Sequence, residues 1–369
     1  MKYPKFLENG GTIGFTAPSL GCTTEPYKSC FREALSRFEE LGYKTEVTPN
    51  CYMADGIGIS TDPKECAKEL EYIYSDDKSD VIISVGGGEL MCDTMAELDF
   101  ESLKKCAPKW YMGYSDNTNF TFLLNTVLDT ASIYAPCAPS FGMKPWDKSL
   151  QQDMDILTGK TDSVKGFDMW ERNSVKSDVN PYAPYNLTEA KRLYIYKGNT
   201  PVVEAPSPDM INNAEELNIP LPEVKKLSTP VRFKGRIIGG CLDTLITLCG
   251  TRFDRVKEFT EKYKDDGIIW FLESCDLSML QIRRGLFQLK NAGWFNHANG
   301  FIFGRPYHFN ETEIGVSEYN AVVSVLGEFD KYMILDADIG HLPPAIPIIS
   351  GAVADITVDD NISIQYICE

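Results

Sequence analysis

KWYMGYSDNTNFTFLLNTVL, residues 109–128, is the stretch whose reading decides the fold. Trp110, Tyr111 and Met112 make an apolar run, Gly113-Tyr114-Ser115-Asp116-Asn117-Thr118 interrupts it, and Phe120, Leu123, Leu124 and Val127 recur at helical spacing. That pattern predicts a strand, a tight turn and a helix. A serine on such a turn projects its hydroxyl past the sheet edge, where the N–H groups that open the helix favour negative charge. Ser115 therefore meets the needs of a nucleophile. The match to a G-x-S-x-G elbow is partial, because Gly113 fills the first glycine position and Asn117 stands at the second. Ser, Asp and Asn also cap helices, and on this stretch alone a plain cap remains open.

Outward toward the amino terminus, residues 11–17 are β-rich, and Phe31, Leu35, Phe38 and Leu41 have helical spacing before a stop at Gly42. Residues 45–48 read as a second strand, Asp62-Pro63 opens a helix through Cys66, Leu70 and Ile73, and residues 80–85 form a continuous apolar strand. Strands alternating with helices predict a parallel sheet covered on both faces. Gly86-Gly87-Gly88 closes the last of these strands. Glycines at the carboxyl end of a parallel strand let backbone approach a ligand, although G-x-G-x-x-G is absent and a simple tight turn fits equally. If that strand neighbours the one before Ser115, a glycine N–H lies beside the serine as an oxyanion donor.

Toward the carboxyl terminus, a helix over residues 148–157 precedes a change of character. Residues 160–235 hold prolines, tyrosines and charges with little periodicity, and long loops of this kind are usually functional or mobile. Trp170 lies there, either on a substrate-facing lip or as an anchor of the loop to the core. From Arg236 the alternation resumes: GRIIGGCLDTLITLCGT as strand, glycine turn and helix, GIIWFL as a buried strand ending at Glu273, and DADIGH after a strand over 332–335. The final segment alternates as antiparallel strands do.

Composition narrows the function. At 369 residues the chain is long enough for two domains, and its net charge of −17 with no basic run argues against nucleic acid or an anionic membrane surface. No apolar stretch has signal-peptide or membrane-span length, so a cytoplasmic protein is expected. Eleven cysteines without a C-x-x-C pair indicate reduced thiols and neither a zinc ribbon nor a thioredoxin-type motif, and no metal or cofactor is expected.

Only three histidines exist to serve as a base for Ser115. His341 follows a hydrophobic strand on a turn stiffened by Leu342-Pro343-Pro344; His308, after Arg305-Pro306-Tyr307, is second; His297 sits where helix capping explains it better. Glu273 ends a buried strand, where a carboxylate needs a partner: a histidine, or Arg283 or Arg284 at the surface.

Gly87-Gly88 before a helix, GYSDNT at Ser115, residues 239–251 with FLES at Glu273, and DADIGH at His341 together resemble the LD-carboxypeptidase family of serine peptidases, which includes the microcin C immunity peptidases. The resemblance covers nearly the whole chain. It implies an α/β protein: a Rossmann-like amino domain (1–160) with the nucleophile, a crossover and irregular substrate-side excursion (161–235), and a smaller carboxyl domain with antiparallel strands (236–369) bearing the acid and base. It also implies a homodimer that cleaves a small peptide or a peptidyl- or aminoacyl-nucleotide. Carried over, Ser115 is the nucleophile, Glu273 the orienting acid, His341 the base, and the N–H groups of Asp116 and of Gly88 or Gly87 form the oxyanion hole. Trp170 and Arg305 become substrate contacts, Trp170 by stacking on a nucleotide base. Two positions depart: Gly86 stands where peptidoglycan-trimming members commonly carry arginine, and Cys241 where asparagine usually follows the second glycine pair. Beside this reading stand an α/β-hydrolase esterase, disfavoured by Asn117 and by the lack of an HGGG loop, and a non-catalytic small-molecule binder.

Overall fold

Five parallel strands, in the spatial order Lys44–Val47, Thr12–Thr16, Val81–Ser84, Trp110–Gly113 and Ser132–Tyr134, build the first sheet of the computed structural model, which describes residues 1–368. In chain order this is 2-1-3-4-5, a doubly wound arrangement whose connections diverge between Thr12–Thr16 and Val81–Ser84. Both of those strands are covered on both faces, which is why they read as apolar runs rather than alternating ones. Helix Tyr27–Glu40 buries Cys30, Phe31, Ala34 and Phe38 on one stripe, and helix Pro63–Ser75 starts where the Asp62 carboxylate accepts from the Lys64 N–H.

The second sheet has nine strands. Val231–Cys241, Ile268–Glu273, Ala298–Gly304 and Tyr332–Ala337 run parallel at its centre, and antiparallel strands flank them on both sides. The carboxyl-terminal pair Val353–Val358 and Ile362–Ile367 is the expected antiparallel hairpin. Two expectations change. Gly239-Gly240 is not a turn but part of the long strand Val231–Cys241, with helix Leu242–Leu248 following at once. Glycine is needed there because a Cβ on Gly240 would lie 2.5 Å from Thr118 Cγ2, so the second sheet packs directly on the first turn of the Ser115 helix.

Segment 161–235 is also more ordered than its composition suggests. Ser163–Lys165 pairs with Ile362–Ile367, Tyr194–Lys197 pairs with Tyr332–Ala337 and with Thr200–Val203, and Pro208–Leu217 is a helix capped by Ser207. These strands are only three or four residues long, and apart from the hairpin of Tyr194–Lys197 with Thr200–Val203 they find partners far away in sequence, so no local period announces them. In the opposite direction, Ile348–Ser350 leaves the carboxyl half and adds an antiparallel edge to the first sheet at Ser132–Tyr134. Among the described residues no helix is long and apolar enough to cross a membrane.

Candidate active site

Strand Trp110–Gly113 ends at Tyr114, a 3-10 turn takes Ser115–Asn117, and helix Thr118–Thr126 follows. Ser115 has φ +62, the strained left-handed backbone of a nucleophile elbow. Gly113 is required because the Asn117 side chain covers it: a Cβ there would sit 2.8 Å from Asn117 Cγ. Asn117 in turn donates from Nδ2 to the carbonyls of Gly86 (2.8 Å) and Tyr114 (3.2 Å) and accepts from the Tyr111 hydroxyl (2.5 Å). The residue that departs from the glycine pattern therefore laces the elbow to the glycine loop.

The three scattered side chains meet. His341 Nε2 lies 2.9 Å from Ser115 Oγ, and His341 Nδ1 lies 2.8 Å from Glu273 Oε2. Glu273, fully buried at the end of Ile268–Glu273, also accepts 2.5 Å from the Tyr134 hydroxyl on Oε1. Burial alone would raise this carboxyl, but the imidazole charge and the hydrogen bonds from His341 and Tyr134 outweigh it, holding Glu273 below the ordinary carboxylate range. Burial likewise opposes charge on His341, and the Glu273 carboxylate with the neighbouring Cys275 thiol holds the ring well above its usual value. The pair is thus built to carry a proton on imidazole beside a carboxylate that stays ionised.

On the other side of Ser115, a Cβ on Gly87 would lie 3.2 Å from Ser115 Cβ and 3.3 Å from its Oγ, so the glycine loop runs against the serine. Val81–Ser84 and Trp110–Gly113 are neighbours, as the oxyanion expectation required. The Asp116 carboxylate faces inward, accepting from Ser19 Oγ (2.6 Å), the Met91 N–H (2.9 Å) and Asn119 Nδ2 (2.9 Å). Those bonds tie together the loops leaving the divergence point of the first sheet. Glu89, directly after the glycine run, is pushed up by partial burial and by Asp276, Asp116 and Asp243.

The remaining candidates lie elsewhere. His297 faces Glu261 (3.1 Å) and His308 faces Glu311 (3.0 Å), both at the surface. Arg283 bonds Ser324 and Arg284 bonds the Leu280 carbonyl, leaving Glu273 to the histidine. Of the two readings of Trp170, the anchor is the one observed: the ring is 2% exposed, meets Phe309 edge-on at 5.0 Å, and donates to the Ala190 carbonyl. It offers no free face for stacking. Arg305 is 1% exposed and paired with Asp338 at 2.8 Å, so its guanidinium is not turned to a substrate either. In both cases the loop folds back onto the second sheet and consumes the side chain. Sequence reasoning missed Tyr134, whose hydroxyl, besides donating to Glu273, accepts from the Ser115 N–H at 3.1 Å. Its signal was its place at the carboxyl end of the strand next to the serine's.

Sequence profiles of the LD-carboxypeptidase N-terminal and C-terminal domains match residues 13–135 and 234–356. The chain is 26% identical to the microcin C7 self-immunity protein MccF of Escherichia coli, over 98% of this chain and 95% of that protein. It is 24% identical to a probable murein peptide carboxypeptidase of Bacillus subtilis (strain 168), over 98% and 93%. Among solved structures, MccF in complex with aspartyl sulfamoyl adenosine shares the fold with a TM-score of 0.75 at 21% identity, covering 99% of this chain and 98% of that one. An MccF-like protein from Bacillus anthracis str. Ames has a TM-score of 0.75 at 20% identity with full coverage of both chains. With both domains matched in order and the relatives aligned end to end, the chain belongs to the LD-carboxypeptidase family.

Proposed function

We propose that this protein is a serine peptidase that hydrolyses an amide in a small peptide-like substrate, with Ser115, His341 and Glu273 as its triad. The single observation that supports it is the unbroken line from Ser115 Oγ through His341 to Glu273, with contacts of 2.9 and 2.8 Å. Ser115 Oγ attacks the carbonyl carbon while its proton passes to His341 Nε2. The oxyanion is received by the N–H groups of Asp116 and of Gly87 or Gly88, donors that typically contribute about 3 to 4 kcal/mol to such a step. His341 then protonates the departing amine, and in the second half activates the water that releases the acyl group. Glu273 keeps the imidazole in one orientation and stabilises its charge, while Tyr134 braces both Glu273 and the Ser115 backbone. This chemistry draws on no metal.

Two relatives supply the substrate classes to test, one named for murein peptides and another solved with an aminoacyl sulfamoyl nucleoside. Product analysis with a tetrapeptide ending in a D-residue and, separately, with an aminoacyl sulfamoyl adenosine separates the two. Ser115→Ala should lower kcat/KM by at least about 10³-fold on the accepted substrate while leaving the unfolding midpoint unchanged. Full activity in that variant, or no cleavage of either substrate by the parent, would sink the proposal. A cytoplasmic homodimer belongs to the same reading, and sedimentation of the purified protein tests the dimer.

A further inference from the structure

His341 is carried on a turn that the second sheet does not itself hold. Strand Tyr332–Ala337 ends just before it, Asp336 near the strand end has the left-handed φ +59 that is costly for a non-glycine residue, and Gly340 takes φ +104, which favours glycine. One side chain braces both flanks of that turn. Arg305, at the end of the adjacent strand Ala298–Gly304, donates from its guanidinium to Asp338 Oδ1 (2.8 Å), to the Asp336 carbonyl (3.4 Å) and to the Leu342 carbonyl (3.5 Å). Its own N–H donates to the Ala337 carbonyl at 3.1 Å. The carboxylate completes the brace, since Asp338 Oδ2 accepts from the Phe167 N–H at 2.7 Å. Behind it, the Trp170 ring lies 4.3 Å from the guanidinium carbon, and the Glu171 N–H donates to the Pro343 carbonyl at 2.7 Å.

We propose that Arg305 is a positioning residue for His341, and that segment 166–171, through Asp338 and Trp170, is the backing against which it works. The proposal rests on the reading of His341 as the base for Ser115. A planar fork suits the task because it reaches three acceptors at once, spaced along residues 336–342, which a lysine ammonium on a flexible stem does not. The buried ion pair thus serves geometry at the site rather than substrate recognition, the role expected for Arg305 from the sequence.

The test uses diisopropyl fluorophosphate, which reports the nucleophile without the natural substrate. The Ser115 Oγ–P bond forms as P–F breaks, fluoride leaves, and the serine proton passes to His341 Nε2. Arg305→Met alone leaves Asp338 buried and unpaired, so it is compared with Arg305→Met/Asp338→Asn, in which the amide still accepts from the Phe167 N–H. The double variant removes one positive and one negative charge together, leaving little net change of field at the imidazole, so a shifted pH midpoint reports geometry. The expected result is a folded double variant whose maximal inactivation rate falls about 100-fold, the loss typical of an ångström-scale misplacement, with unchanged apparent affinity for the probe. The midpoint of its pH–rate limb should move down toward the ordinary imidazole value, because the contact with Glu273 loosens. Arg305→Lys should remain at least tenfold slow. Parent-like rate and midpoint in the double variant, or full recovery with lysine, would overturn the proposal. Failure of the parent itself to label at Ser115 would instead remove the triad reading beneath it.

Discussion

At the scale of single residues, Ser115 and Tyr134 show how strain and bracing are combined. A serine at φ +62 holds its hydroxyl outside the helix path only if its neighbours fix it, and the Tyr134 hydroxyl does so by accepting from the Ser115 N–H while donating to Glu273. The opposed shifts of Glu273 and His341 give a pH prediction. Attack requires neutral imidazole, so kcat/KM should rise with pH through a midpoint above the ordinary histidine value of about 6.5. Glu273→Gln removes the carboxylate that lifts this midpoint. It should therefore shift the limb to lower pH while lowering the plateau by about 10³-fold or more. A pH–rate profile checks both, and an unmoved midpoint would mean that Glu273 does not act on the ring. Ser115, Glu273 and His341 were legible as candidates because each ends or follows an apolar strand. Tyr134 was not, because a tyrosine in SIYAP differs in no local respect from many core tyrosines.

Among the elements, the turn into His341 is the most exacting. Gly340 has φ +104, and a Cβ on it would lie 2.7 Å from Glu273 Oε2 and 2.9 Å from Glu273 Cβ. Gly340→Ala should therefore cost about 1 to 3 kcal/mol of stability and, by pushing Glu273 from the ring, about 100-fold in kcat/KM. Urea unfolding and steady-state kinetics measure the two losses, and a variant with intact kinetics would show that the turn tolerates displacement. The apolar strands and amphipathic helices of the first half were readable, since burial on both faces or on one stripe leaves a local pattern. The glycine pair at 239–240 was misread as a turn for want of the same information: what demands glycine there is the Phe271 backbone beside Gly239 and Thr118 beside Gly240, both distant in sequence.

For the whole molecule, the two sheets are stitched rather than merely apposed. Ile348–Ser350 crosses to the first sheet, and buried Asn125 secures it, donating to the Ser350 (3.1 Å) and Thr130 (2.9 Å) carbonyls and accepting from Ser350 Oγ at 2.6 Å. Asn125→Ala strands these groups in the interior and should lower unfolding free energy by about 2 to 3 kcal/mol. Turnover should stay close to that of the parent, because Asn125 lies near the far end of the helix that begins after Ser115. Denaturant titration with a parallel activity assay decides this, and an unchanged unfolding midpoint would show that the stitch contributes nothing. Strand and helix patterning, the strand–turn–helix at Ser115 and the preference for His341 among the three histidines came from the amino-acid sequence by itself, because each is written in near-neighbour chemistry. The meeting of Ser115 with His341 across a separation of 226 in residue number, the recruitment of segment 161–235 into the second sheet, and the burial of Trp170 and Arg305 were decided only by tertiary structure. Pairing partners and solvent exposure depend on which distant surfaces come together, and no local period encodes that.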